Sequence, residues 1–484
     1  MSTRIGRAAI WSVIVLLCLL RFWRLSADFP NNSPWLSDQA KFTDEGWWAQ
    51  AAILHHLTGH WILPGDYNAA VATPVWPLLL SALFHWTGVS LLTARGLSVV
   101  LSLATMVVVF LLVRRYTSQR KELIATLAVL LLAASPFAFA FSRLAILESL
   151  LILQFSLLLL SASFVSTTSW KPFTALALLA TTLVLTKTTA ALLLPAVFWL
   201  AWRNQPDKPA AAIRSFCALF LAPAGIFALY RCAVEHWGLG DDFRYFYEEN
   251  GMPDIDWSHS WSTLTALAHH GFWIDRGLYP AALFVTLLAL LRYKELWRNP
   301  LFTAAWISIA AQAAFIFSRQ DDSAPRYFLP MLLPMTLIVV LALDTLPRKT
   351  FHSLLPAVVL IAGVDGFRTI SFVRHPAFAM ANAAQSIQHH VAAEPAQSRL
   401  LLGVSAGEVS LMTGLPSLND AFGTEDLGSR AARLKPGWLL VWTGVGPEER
   451  QQLTPFDLEP VDSYRIFDNA DRDNLLLYRL KPRR

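Results

Sequence analysis

The chain has 484 residues, 55% of them hydrophobic and only 15% charged, with 19 tryptophans and 30 phenylalanines. A single soluble domain does not carry so large an apolar excess, so these proportions describe a polytopic membrane protein. The formal net charge of +5 does not point to nucleic acid, because the basic residues fall in short loops between apolar runs and not on one soluble face.

Apolar runs near residues 8 to 22, 91 to 113, 122 to 140, 145 to 165, 213 to 234, 278 to 291, 300 to 317, 325 to 343 and 351 to 371 are predicted as helices. Most approach the roughly 20 residues that a helical span needs. The start MSTRIGR and the apolar stretch after it imitate a secretory signal. Arg21 and Arg24 follow without a small-residue cleavage site, so the segment reads as an uncleaved anchor.

The connection 26 to 90 is acidic and poor in lysine. Within it Asp44 and Glu45 open a helix-like stretch, DEGWWAQAAILHHL. Acids in a first turn stabilise a helix by about 0.3 to 1 kcal/mol without any catalysis. A carboxylate pair where a membrane chain meets water is also a candidate general base. Successive helical residues point about 100° apart, so one of the two is expected to face a substrate cavity. Residues 74 to 87, about 14 long, read as an interfacial helix and not as a span.

Glu148 lies in SRLAILESLLILQ and reads as an acid a few residues into an apolar span, where an unpaired carboxylate costs roughly 2.5 to 3.5 kcal/mol. Arg143, one turn earlier, is a candidate partner, and a purely structural ion pair is the alternative to a functional role. Lys187 interrupts the apolar stretch 172 to 202, which is either one long helix or a hairpin of two short arms. Arms of about 14 residues rise only about 21 Å, leaving Lys187 near headgroup depth. Arg326, followed by Tyr327, stands at the mouth of a later span.

Four basic clusters set the topology: Arg114, Arg115, Arg120 and Lys121; Arg203, Lys208 and Arg214; Arg292, Lys294 and Arg298; Arg348 and Lys349. Placing all four in the cytoplasm requires the hairpin at Lys187 and excludes a crossing at 74 to 87. The expected architecture is a polytopic α-helical membrane protein of about eleven spans with a cytoplasmic N-terminus. Residues 1 to 375 form the membrane part, with outward loops 26 to 90 and 235 to 277, and 376 to 484 a small extracytoplasmic α/β domain. In that domain 379 to 393 and 447 to 453 read as helices, and 399 to 405, 438 to 444 and 474 to 480 as strands.

Gly403 to Gly407 matches G-x-S-x-G between a strand and a helix, but no histidine follows His390, so the segment reads as a glycine-rich turn and not as a nucleophile elbow. Cys18, Cys217 and Cys232 lie in or beside apolar runs and read as packing residues. The pairs His55-His56 and His269-His270 lack a third ligand. No cofactor is expected, and a divalent metal has no clear ligand set.

Lys187 and Arg326 supply positive charge on the same side as two acids. Transfer from a phosphate-linked lipid needs both: cations for the leaving phosphate and a base for the incoming hydroxyl. The chain resembles the GT-C membrane glycosyltransferases, in the branch of protein O-mannosyltransferases and lipid A aminoarabinose transferases. The likeness rests on Asp44-Glu45, on Gly59-His60-Trp61 to Pro64 with Thr73-Pro74 beyond, on SRLAILE ending at Glu148, on Thr186-Lys187, and on Pro325-Arg326-Tyr327 with Pro330.

The resemblance implies an inverting transfer of a hexosyl or pentosyl unit from a polyprenyl-phosphate donor to a hydroxyl of a lipid, glycan or protein outside the membrane. It implies Asp44 as the leading base, Glu45 beside it, Glu148 as the second acid, and Lys187, Arg326, Tyr327 and Arg143 on the donor side. It also implies a bacterial inner membrane, with the site and the C-terminal domain in the periplasm. Aminoarabinose transferases carry Glu-Lys where this chain has Ala72-Thr73, so neither aminoarabinose nor a bound metal is expected. A transporter or lipid flippase and a non-catalytic envelope-assembly component are the other classes that fit the composition. A transporter should place its ionisable groups near the midplane of repeated halves.

Overall fold

Helices form wherever the sequence carries long apolar stretches rich in Leu and Ala, and breaks fall at proline, glycine and isolated charges. The computed structural model describes residues 3–29, 43–63, 65–66, 69–165, 169–205, 207–249, 255–258, 260–269, 275, 277–319, 325–395, 398–419, 423–467 and 473–483. Pro64, His270 and parts of the loops 26 to 90 and 235 to 277 lie outside them.

The first helices are α1 (Thr3–Leu20), α2 (Asp44–Thr58), α3 (Val75–Thr87), α4 (Leu91–Tyr116), α5 (Lys121–Ala134), α6 (Pro136–Ser142) and α7 (Glu148–Ala162). Then come α8 (Lys171–Thr186), α9 (Leu194–Arg203), α10 (Lys208–Phe216), α11 (Ala222–His236), α12 (Gly240–Glu249), α13 (Ser260–His269) and α14 (Leu278–Leu291). The last are α15 (Pro300–Arg319), α16 (Leu329–Thr345), α17 (Arg348–Arg374), α18 (Ala379–Ala392), α19 (Ala406–Thr413), α20 (Leu427–Leu434) and α21 (Pro447–Gln452).

Among the described residues, 5 helices have the length and apolarity to cross a membrane, or 6 if α5 and α6 count as one span bent by 64°. The bend has a local cause. Pro136 opens α6 without an N–H to give, and Ser135 Oγ accepts the Ala138 N–H at 3.1 Å, so the chain starts a new helix there. Six shorter apolar helices of 10–17 residues accompany these spans.

The ends of the bundle sort by charge. The Asp344 carboxylate, near the end of α16, accepts the backbone N–H groups of Ser118 at 2.7 Å, Gln119 at 3.3 Å and Arg120 at 3.1 Å. Asn204, just past α9, donates to the Tyr116 hydroxyl at 2.6 Å and the Ala162 carbonyl at 3.4 Å. Asn299, just before α15, donates to the Tyr116 carbonyl at 3.2 Å. These bonds bring the basic clusters around Arg114, Arg203, Arg298 and Arg348 to one end of the molecule.

Both outer ends of the stretch 172 to 202 lie there as well, since α8 starts a short loop after α7 while α9 ends against α4 and α7. The stretch is therefore a hairpin, and its tip is Lys187, whose backbone is extended at φ −156° and ψ 115°. A 3-10 turn, Thr188–Leu193, leads into the return arm.

One expectation changes in this region. Residues 143 to 147 are a run of turns between α6 and α7, so Glu148 is the first residue of a helix and does not lie inside a span.

Toward the other end, α2, α3 and the start of α4 pack together through Ala49, Ile53, Trp76, Leu80, Phe84 and Ala94. Beyond α18, five strands form one sheet: β1 (Leu401–Leu402), β2 (Ser417–Leu418), β3 (Trp438–Trp442), β4 (Phe456–Arg465) and β5 (Asn474–Pro482). Their order is β2-β1-β3-β5-β4, with β1 parallel to β2 and β3, and β5 antiparallel to β3 and β4. Every residue of β3, WLLVW, is buried, as a central strand covered on both faces requires. β4 has no counterpart in the apolar pattern: it is an edge strand, mostly exposed, with a register shift between Pro460 and Asp462.

Candidate active site

The sequence Asp44-Glu45-Gly46 forms the first turn of α2, and each acid takes a different cationic partner. Asp44 is buried and forms an ion pair with Arg326, its Oδ2 receiving Nη1. Glu45 turns the other way. Its two oxygens take a forked pair of bonds from Arg95, Nε to Oε1 at 2.8 Å and Nη2 to Oε2 at 2.5 Å, and Oε1 also accepts the Ala145 N–H at 2.6 Å. Arg95 Nη1 donates to the carbonyls of Leu25 at 2.6 Å and Ala27 at 2.7 Å. With both side chains almost fully buried, this is a bidentate pair that joins four segments of the chain.

Glu148, opening α7, receives Lys187 Nζ on Oε1 at 2.9 Å. Its Oε2 is buried with no hydrogen-bond partner among the described residues. Lys187 Nζ also lies 4.8 Å from the centre of the Tyr327 ring, and the Arg326 guanidinium lies 5.4 Å from the same ring. Tyr327 therefore stands between the two ion pairs, each cation facing its aromatic surface. A cavity of about 40 Å³ in the bundle is lined by Thr105, Ser142, Ser149 and apolar side chains of α4, α5, α6, α7 and α16.

Six of the expected site residues, Asp44, Glu45, Glu148, Lys187, Arg326 and Tyr327, thus meet at the end opposite the basic clusters. Arg143 does not join them. Its Nη2 donates to the carbonyls of Trp23 at 2.8 Å and Arg24 at 2.6 Å, and its guanidinium lies 5.2 Å from the Phe139 ring. The intervening turns carry Arg143 back toward the end of α1, so the proposed pairing with Glu148 is replaced by Lys187. Arg21 approaches Phe139 as well, at 5.3 Å.

Sequence reasoning missed Arg95, Gln50, Glu408 and the pair Asp66-Arg430. Arg95 had a visible signal, a cation five residues into an apolar run, of the same kind as Glu148. The others had none, because their partners lie more than 360 positions away. Glu408 Oε2 accepts the Gly46 N–H at 2.9 Å; Gln50 Nε2 donates to the Ser417 carbonyl at 2.7 Å; Arg430 Nη1 meets Asp66 Oδ1 at 2.9 Å with both side chains buried.

Ser405 of the G-x-S-x-G segment is fully buried and accepts Trp442 Nε1 at 2.8 Å, so it is held as part of a turn. His55 contacts Ser81 Oγ at 3.0 Å and stacks on Trp61 at 4.1 Å. Gly59 ends α2 in the left-handed region at φ 78°. No group of three His, Cys, Asp or Glu side chains is placed to hold a metal among the described residues.

Residues 71–229 match the family of dolichyl-phosphate-mannose-protein mannosyltransferases. The fold is similar to that of ArnT from Cupriavidus metallidurans in the apo state, with a TM-score of 0.67 and 15% identity over 99% of this chain and 98% of that one. The same protein bound to undecaprenyl phosphate gives 0.63 and 15% over 97% and 98%. The archaeal oligosaccharyltransferase AglB from Archaeoglobus fulgidus, in complex with an inhibitory peptide and a dolichol-phosphate, gives 0.53 and 12% over 94% and 73%. None of the curated proteins matches the chain in sequence. At 15% identity or less, these likenesses show a fold shared with ArnT and AglB.

Proposed function

We propose that the chain is a membrane glycosyltransferase that moves a hexosyl or pentosyl unit from a polyprenyl-phosphate donor to a hydroxyl of a lipid, glycan or protein. The observation that carries this reading is the meeting of two acid-cation pairs, Asp44-Arg326 and Glu148-Lys187, about one aromatic ring, Tyr327, at one end of the bundle. The solved ArnT structure holds undecaprenyl phosphate, which supports a lipid phosphate as the donor's carrier.

In this reading the donor phosphate draws Lys187 and Arg326 toward its oxygens. Arg326 then relinquishes Asp44, and the freed carboxylate takes the proton of the acceptor hydroxyl. The acceptor oxygen attacks the anomeric carbon from the face opposite the phosphate. As that bond forms, the bond from carbon to phosphate oxygen breaks, and the polyprenyl phosphate leaves with its charge held by the two cations. One displacement inverts the anomeric centre. Glu148 keeps Lys187 at the tip of its hairpin and is the second acid of the site. With the four basic clusters in the cytoplasm, the acids and the sheet face the periplasm of a bacterial inner membrane.

The test is the lipid fraction of cells lacking the gene. Mass spectrometry should find one polyprenyl-phosphate sugar accumulating, cleared by the wild-type chain and not by Asp44→Asn. An unchanged lipid profile, or full clearance by Asp44→Asn, would remove this reading.

A further inference from the structure

The amino end of α2 is held by a residue far away in the chain. α19 follows the glycine-rich turn after β1 and packs against α2, and Glu408 in its first turn accepts the Gly46 N–H at 2.9 Å. Thr43 Oγ1, just ahead of α2, donates to the Val404 carbonyl at 3.0 Å. The approach requires glycine at position 46, where a Cβ would overlap the backbone of Gly407 and Glu408, and it is tight at Gly407, where a Cβ would lie 3.0 Å from Gln50 Oε1 and 3.2 Å from the Gly46 carbonyl carbon. Glu408 is also a hydrogen-bonding neighbour of Glu45, which Arg95 clamps from the membrane side.

We propose that Glu408 is a positioning residue for the transfer reaction, fixing the first turn of α2 so that Asp44 stands against Arg326. The proposal rests on the reading of Asp44 as the base. It turns the C-terminal sheet from an appended module into part of the catalytic frame. Gly407, the last residue of the G-x-S-x-G segment, is part of this contact, whereas Gly403 lies against Leu440 of β3.

The electrostatics follow from the geometry. Burial, and next the Glu45 carboxylate, push the Glu408 carboxyl well above the usual range, while Arg95 and the Gly46 N–H act in the opposite direction. Arg95 also faces Asp28. A protonated Glu408 can donate to Glu45 while accepting from Gly46. An ionised Glu408 would set a second carboxylate against Glu45 on the same arginine. The contact is therefore strongest at low pH and weakens as pH rises through the raised value.

The test uses the full chain in nanodiscs, the polyprenyl-phosphate sugar purified from the deletion cells as donor, and undecaprenyl phosphate as binding probe. Glu408→Ala should lower kcat about tenfold with donor KM changed less than about twofold, as a misplaced base would. Undecaprenyl phosphate binding should persist, and hydrogen exchange over residues 44 to 50 should quicken. Glu408→Gln keeps an acceptor for Gly46 and a donor for Glu45, so it should restore kcat and lose the decline that the wild type shows as pH rises. Normal kcat in Glu408→Ala, or a Gln variant with the wild-type pH profile, would overturn the proposal. If the Ala variant does not fold, the pH profile of the Gln variant decides alone. Asp44→Asn run in parallel separates the two readings: its normal turnover removes the base, whereas its inactivity beside a normal Glu408→Ala removes only the positioning role.

Discussion

Asp44 and Arg326 are 282 positions apart and form a partly buried ion pair at the start of α2. The pair gives the candidate base a cation that a donor phosphate can compete for. Asp44→Asn should leave insertion and donor binding intact and reduce transfer by about 100-fold or more, the usual scale of a lost general base. Turnover from the purified donor, with size exclusion as the check on folding, measures it. Near-normal turnover would return Asp44 to the role of a helix-start acid.

Glu45 behaves differently because both of its oxygens are bound. Removing one partner of a buried pair costs about 3 to 5 kcal/mol. Glu45→Gln and Arg95→Met should therefore each show a lower thermal midpoint in detergent, with any loss of transfer following the loss of folded protein. A stable Glu45→Gln variant with normal unfolding would show that the forked pair is not structural.

Lys187 touches Glu148 and Tyr327, and the proposed mechanism sets it on the donor phosphate. Lys187→Ala should raise the donor KM and weaken undecaprenyl phosphate binding by about tenfold or more, on the scale of one charge-assisted contact of 1.5 to 3 kcal/mol. Glu148→Gln should retain more affinity, since the lysine charge survives. Equal donor KM in Lys187→Ala and wild type would remove the lysine from the donor site.

The close approach of Gly46 to Gly407 makes a steric prediction that involves no charge. Gly46→Ala should undock α19 from α2, seen as faster hydrogen exchange in both helices, while the bundle around α4, α5 and α16 is unaffected. Unaltered exchange would mean that the backbone there yields without cost.

Cysteine labelling tests the sidedness. With Cys18, Cys217 and Cys232 replaced, Gln119→Cys should react from the cytoplasmic side and Thr58→Cys from the outside. Reaction of both from one side would overturn the assignment.

The sequence by itself determined the membrane solvent, because apolar length is a local property, and the placement of lysine and arginine set the expectation for sidedness. It located the α2 start at Asp44, the helix break at Lys187 and, over 438 to 444, the strand that forms at Trp438–Trp442, for the same reason. The resemblance named Asp44, Glu148, Lys187 and Arg326, but not who pairs with whom. Only the tertiary structure decided that Glu148 takes Lys187 and not Arg143, because the turns over 143 to 147, invisible in an apolar run, redirect the chain ahead of α7. Only it could show Glu408 reaching Gly46 across 362 positions, since no periodicity encodes a contact whose halves lie on different elements. β4 was illegible because an edge strand facing water carries no apolar alternation, and its pairing with β5 is the only signal that it is a strand.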